Sequence, residues 1–290
     1  MTADRVSAAR DAPGVESGIV HTNGIDTYYE RRGSGPPLVF VHGFLLDTRM
    51  WEPQVDALAA DYTVVTYDLR GHGRTGGSGA STYSAELFAE DLDALLDALD
   101  LDRPVVCGLS MGGMVAQMYA ARHPEKVAGL VLADTFTPGA LPVSGGLAMP
   151  HLPLFALLSH VVSYKRLNAF QIWVGTLFAP GMVGDAEFHQ GLVDDGPTMA
   201  PGEFRKSVRS ILAFVRSGFD PETITVPTTV LYGEHEPAPI RRMAAHLAGW
   251  IVHADSDLVA VPDAGHGSSW DNPAFFTDAV RRLADRAFDD

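Results

Sequence analysis

Residues 108–113 read Gly-Leu-Ser-Met-Gly-Gly, directly after the apolar run Pro104-Val105-Val106-Cys107. A serine with glycines two positions before and two after fits a strand-to-helix turn too tight for a β-carbon at either flank. Such a turn lifts the hydroxyl out of the sheet and points a helix N-terminus at whatever the hydroxyl meets. Met111 to Arg122 then runs free of proline, and His123-Pro124 stops it. The bland alternative is a glycine-rich loop that happens to contain a serine, so the weight of the motif rests on what surrounds it.

What surrounds it is a β/α rhythm. Ile19–Thr22 and Ile25–Glu30 flank Asn23-Gly24, a type I′ hairpin signal. Short apolar runs follow at Leu38–Val41, Thr63–Tyr67, Val105–Leu109, Val127–Ala133, Thr228–Tyr232 and Leu258–Val261, the mark of parallel strands buried on both faces. Helical patterns alternate with them. The clearest sets Phe88, Leu92, Leu95, Leu96 and Leu99 on one face and Glu90, Asp93, Asp97 and Asp100 on the other. Asn272-Pro273 opens the last helix. The fold class expected is α/β, a doubly wound, mostly parallel sheet led in by an antiparallel hairpin. The rhythm breaks between Pro138 and Pro227, where apolar helical stretches carry no strand pattern. The division expected is a flexible tail over 1–17, a core over 18–137 and 227–290, and an inserted helical cap over 138–226.

At this point the chain resembles the α/β-hydrolase superfamily, from Gly18 onward. The matching pieces are His42-Gly43-Phe44 after the first parallel strand, Asp68-Leu-Arg-Gly-His-Gly73 after the next, the Gly108–Gly113 elbow, and Ala264-Gly265-His266 near the end. Serine first, histidine last and an acid between is the order this fold uses. The resemblance implies Ser110 as nucleophile and His266 as its base, because a serine hydroxyl at neutral pH needs a neighbour to take its proton. His42 and His72 resemble the family's structural turn histidines.

The third member stays open. Family members usually carry the acid after the strand that follows the cap, here Gly233-Glu234-His235-Glu236-Pro237. Glu236 stands where aspartate is commonest, one methylene longer. Asp134, ending the preceding strand, is the main rival, and Glu234 a weaker one. The family's oxyanion donors map to the backbone N–H groups of Phe44 and Met111, each such donor typically worth ~10²–10³ in rate. Substrate-lining candidates are the Phe44, Met111 and Trp173 side chains. Phe155, Leu158, Leu177, Phe178 and Met182 add to an apolar cap that suits an apolar or aromatic substrate moiety.

Bulk properties exclude other classes. The formal charge of −15 argues against nucleic acid and anionic membranes as partners. An acidic surface adapted to high salt and an ordinary acidic protein both fit it. The single cysteine, Cys107, forms no intrachain disulfide and suits a reducing compartment. No run reaches the ~18 apolar residues of a membrane span, and the first 17 residues lack the apolar centre of a signal peptide. A cytoplasmic protein is expected. Gly71-His-Gly73-Arg-Thr-Gly76 matches a dinucleotide motif in form, but no helix opens directly behind it. No nucleotide, metal or other cofactor is implied.

The function expected is a serine hydrolase of a small-molecule ester or lactone, in the esterase, enol-lactonase and cofactor-free haloperoxidase branch that the resemblance suggests. The alternatives are a C–C bond hydrolase or haloperoxidase using the same triad, and a ligand-binding homologue without catalysis.

Overall fold

The structure is a computed structural model, and it describes residues 14–139, 151–251 and 256–289. The strands are β1 (Val15–Thr22), β2 (Ile25–Arg32), β3 (Pro37–Val41), β4 (Thr63–Tyr67), β5 (Val105–Leu109), β6 (Gly129–Ala133), β7 (Thr228–Gly233) and β8 (Ser256–Val261). They form one sheet in the order β1-β2-β4-β3-β5-β6-β7-β8. β1 and β2 pair antiparallel, as do β2 and β4, and every other neighbouring pair is parallel. The central strands β3, β4, β5 and β6 are continuous apolar runs because helices cover both faces.

The helices are α1 (Glu52–Leu58), α2 (Ala85–Ala98), α3 (Met111–Arg122), α4 (His151–Leu158), α5 (Tyr164–Phe178), α6 (Pro180–Val183), α7 (Ala186–Asp195), α8 (Pro201–Val215), α9 (Ala238–Trp250), α10 (Ser268–Asp271) and α11 (Pro273–Asp289). Local chemistry explains their starts. Ser84 accepts the Leu87 amide at 3.2 Å at the head of α2, and Asn272 accepts the Phe275 amide at 3.2 Å at the head of α11. Asn23 and Gly24 have φ of 46° and 74°, the pair of positive angles a type I′ turn requires. α3 is buried along almost its whole length, between α2 and the sheet.

One expectation shifts. Strand pairing begins at Val15, opposite Arg32, so residues 15–17 are sheet rather than tail; the remainder of the expected tail, 1–13, lies outside the described residues. Between β6 and β7 the described residues form α4 to α8 and no strand, while 140–150 of the expected insertion lie outside them. Among the described residues no helix is long and apolar enough to cross a membrane. The C-terminal ends of β5, β6, β7 and β8 open on one edge of the sheet, where doubly wound folds place their sites.

Candidate active site

The turn after β5 is as tight as its glycines imply. A β-carbon on Gly108 would lie 2.3 Å from the Gly112 carbonyl oxygen, and one on Gly112 would lie 2.0 Å from the Val41 carbonyl oxygen. Ser110 itself sits at φ 53° and ψ −112°, a conformation costing about 1–3 kcal/mol that the surroundings must enforce. Thr135 helps, donating its hydroxyl to the Ser110 carbonyl at 2.7 Å. The Gly112 contact seats the N-terminus of α3 against the end of β3, from which His42, Gly43 and Phe44 lead. Among the described residues neither the Phe44 nor the Met111 amide donates to a protein acceptor. Met111 at the helix start has no preceding turn to bond to.

Ser110, His266 and Glu236 form one chain of contacts. His266 Nε2 lies 3.1 Å from Ser110 Oγ, and His266 Nδ1 lies 2.6 Å from Glu236 Oε1. Glu236 is 3% exposed, and its other oxygen, Oε2, is buried without a partner among the described residues. Burial alone would push the His266 pKa down; the charges of Glu236, Asp134 and Asp271 outweigh it and raise the pKa to about 9. The ring is 45% exposed, so solvent reaches it and screens part of that pull.

Asp134 faces elsewhere. Its Oδ1 accepts the Gly233 amide at 2.9 Å; its Oδ2 accepts the Ser268 amide at 3.1 Å and the Ser268 hydroxyl at 2.5 Å. It therefore ties the end of β7 to the turn behind His266 instead of meeting the imidazole. Burial, then the neighbouring Glu236 charge, raises its pKa to about 7. Glu234 accepts the Asp263 amide at 3.2 Å on the surface.

The loop carrying His266 is built from close glycine contacts. A β-carbon on Gly233 would lie 2.0 Å from the Gly265 carbonyl oxygen, and one on Gly265 would lie 2.3 Å from that of Met182. The His266 amide donates to the Met182 carbonyl at 2.9 Å, so α6 lies directly on this loop. Asp271 adds a second tie, its Oδ2 accepting the Gly265 amide and its Oδ1 the Asp185 amide, both at 2.8 Å. His189 of α7 packs against Trp270, the rings tilted with centres 5.7 Å apart. Burial and the nearby His266 push its pKa down to about 4. None of Met182, Asp185, His189, Ser268 or Asp271 stands in a motif as a positioning residue, and only Ser268 and Asp271 are close enough in sequence to His266 for the chain to hint at them.

The other expected residues divide. Phe44 packs on Phe204 of α8 with ring centres 5.4 Å apart, and Met111 is fully buried. Trp173 is 58% exposed and packs on Phe170, and among the described residues no hydrogen bond or ring contact joins it to Ser110 or His266. His42 is neutral and structural, donating from Nδ1 to the Gly43 carbonyl at 2.8 Å and accepting the Leu69 amide at Nε2 at 2.9 Å. Complete burial holds its pKa at about 4. The glycine-rich turn after β4 is filled by α8. A β-carbon on Gly77 would lie 2.7 Å from the Glu203 carboxyl carbon, and Lys206 Nζ donates to the Ser78 carbonyl at 3.0 Å. A carboxylate there repels a phosphate. Among the described residues no group of three His, Cys, Asp or Glu side chains is arranged to hold a metal ion.

Comparison with known proteins agrees with this architecture. A family profile described as the alpha/beta hydrolase fold matches residues 36–273. A putative non-heme chloroperoxidase of Synechocystis is 29% identical over 89% of this chain and 94% of its own. A 3-oxoadipate enol-lactonase of Acinetobacter baylyi is 26% identical over 87% of this chain and 89% of its own. Among solved structures, a thermophilic esterase of Thermogutta terrifontis superposes with a TM-score of 0.72 at 25% identity, covering 94% of this chain and 99% of that one.

Proposed function

The chain belongs to the α/β-hydrolase family, and from that premise we propose that it is a serine hydrolase cleaving a carboxylic ester or lactone of a small, largely apolar substrate. One observation carries the reading: the unbroken relay Ser110 Oγ, His266 Nε2, His266 Nδ1, Glu236 Oε1, with steps of 3.1 and 2.6 Å. The enol-lactonase and esterase relatives support the substrate class.

In this reading Ser110 Oγ attacks the acyl carbon while His266 Nε2 takes its proton. Glu236 stabilises the imidazolium through Nδ1. The carbonyl oxygen becomes an oxyanion held by the Phe44 and Met111 amides, and the placement of Met111 at a helix start adds a favourable dipole. The C–O bond breaks as His266 returns its proton to the leaving oxygen, leaving acyl-Ser110. Water, deprotonated by His266, then attacks the acyl carbon and frees the acid. Phe44, with Phe204 behind it, lines the acyl side, and the helices between β6 and β7 act as the cap. Asp134 holds the scaffold and takes no part in the proton relay.

A fluorophosphonate probe tests the reading. Ser110 should be labelled, and Ser110→Ala should abolish both the labelling and the hydrolysis of p-nitrophenyl esters and lactones. A folded wild type that never labels ends the proposal. The chloroperoxidase relative favours a second reading, a non-hydrolytic reaction on the same three residues; it predicts labelling without turnover of any ester or lactone.

A further inference from the structure

The chain's acidic charge is unevenly spread. The sequence holds 36 Asp and Glu residues, yet none falls between Asp134 and Asp185. The only formal charges in that stretch are Lys165 and Arg166. The same stretch carries most of the exposed apolar surface. Of the nine exposed large hydrophobic side chains among the described residues, seven lie between Leu154 and Phe178.

Their spacing places them on helix faces. Leu154, Leu157 and Val161 follow i, i+3, i+7 along α4 and the turn behind it, and Phe170, Trp173 and Leu177 repeat that spacing along α5. The inward sides are buried through Leu152 and Phe155 on α4, and through Tyr164, Leu167 and Asn168 on α5. Exposure reaches 66% at Leu157, 82% at Val161 and 83% at Phe178. Helices with Trp, Phe and Leu on one face bind in the plane of a lipid surface without spanning it.

We propose that the outward face of α4 and α5 docks on a zwitterionic lipid–water interface, from which the enzyme draws an amphiphilic ester. Charge selects this occupant. A net charge of −15 repels an anionic surface over about a Debye length. The acid-free stretch is the part of the chain whose own residues bring no carboxylate to be desolvated at an uncharged lipid surface. Net charge argues against anionic lipid as the partner, and the surface proposed here is uncharged. Position supports the same occupant, because α5 runs into α6, whose Met182 carbonyl holds the His266 amide at 2.9 Å. A substrate dispersed in lipid thus meets the helix pair before the catalytic loop. Only the substrate class rests on the hydrolase reading; the docking does not.

Flotation with phosphatidylcholine vesicles is the test. Wild type and Ser110→Ala should both float with the vesicles, and phosphatidylglycerol added to them should weaken the binding. Leu157→Glu with Phe170→Glu should lower partitioning by at least ~10-fold, since burying one large apolar side chain is worth about 10- to 100-fold. This double variant should keep the wild-type melting temperature and kcat/KM on a water-soluble p-nitrophenyl ester. Wild type that stays at the bottom of the gradient overturns the proposal. So does a dimer in light scattering that the double variant dissociates while no flotation occurs, which would give the face to a second copy of the chain. Loss of Ser110 labelling with flotation intact would overturn the hydrolase reading alone.

Discussion

Asp134 and Ser268 are joined twice, the carboxylate accepting the Ser268 amide at 3.1 Å and its hydroxyl at 2.5 Å. With the Gly233 amide bonded to the other oxygen, the carboxylate has its donors and leaves His266 Nδ1 to Glu236. The two acids therefore predict opposite phenotypes. Glu236→Ala should lower kcat by on the order of 10³–10⁴ in the protein that remains folded. Asp134→Ala strands buried amides and should cost roughly 2–4 kcal/mol, read from the urea midpoint, with kcat within about tenfold of wild type once folded. Loss of turnover in a well-folded Asp134→Ala would make Asp134 the triad acid.

The raised His266 pKa gives a pH prediction. Neutral imidazole is the form that accepts the Ser110 proton, so kcat/KM should climb with pH, reach half its plateau near about 9 and level off only above it. Stability moves the other way. The folded-state pKa lies above the unfolded value, so the protonated His266–Glu236 pair stabilises fully below 6.5 and is lost as pH rises through about 9. The gap in melting temperature between wild type and Glu236→Gln should shrink across that window. A limb centred at or below 6.5 would contradict the arrangement of three carboxylates around the ring.

Much of this was legible before the structure, because the information was local. Gly108, Ser110 and Gly112 declare their turn through steric demands within five residues, and the strands β4 and β5 begin and end where their apolar runs do. The elements that escaped notice depend on distant partners. Asp91, a charged residue among the apolar positions of α2, is buried, accepting Arg70 Nε at 2.7 Å across 21 residues. Arg49 bridges Asp47 and the Leu192 carbonyl at the end of α7, 143 residues away. Trp173 is exposed on its helix: an amphipathic pattern fixes that a face is apolar, not what covers it. The choice between Glu236 and Asp134 was likewise undecidable from spacing, since both end strands on the same sheet edge.

The elbow makes a steric prediction. Gly112→Ala places a methyl 2.0 Å from the Val41 carbonyl oxygen, where backbone must move. It should cost roughly 2–4 kcal/mol and remove activity even in the folded fraction, because the Met111 amide shifts with it. Gly79 has no atom within 4 Å of its β-carbon position, so Gly79→Ala should stay within about 0.5 kcal/mol of wild type. Denaturant midpoints of the two variants, measured side by side, check this. Equal midpoints would show that α3 can slide away from β3 at no cost.

Asp271 links the inserted helices to the catalytic loop, and its loss should be felt at His266. One carboxylate holds the Gly265 amide on one oxygen and the Asp185 amide on the other, while Asp185 caps α7 by accepting the Phe188 amide at 2.9 Å. Asp271→Asn keeps one acceptor and turns an N–H₂ towards the other amide, so one tie must open. A displacement of the imidazole on the ångström scale should lower kcat by ~10- to 100-fold with KM less affected. The missing charge should also move the kcat/KM limb towards acid, since Asp271 is one of the groups raising the His266 pKa. Asp271→Glu should not rescue, because the carboxylate packs where a β-carbon on Gly184 would lie 2.0 Å from Oδ2. A purely structural residue would lower the melting temperature and leave the limb in place. The pH profile of Asp271→Asn, measured on the soluble fraction, therefore separates a positioning role from simple loss of stability.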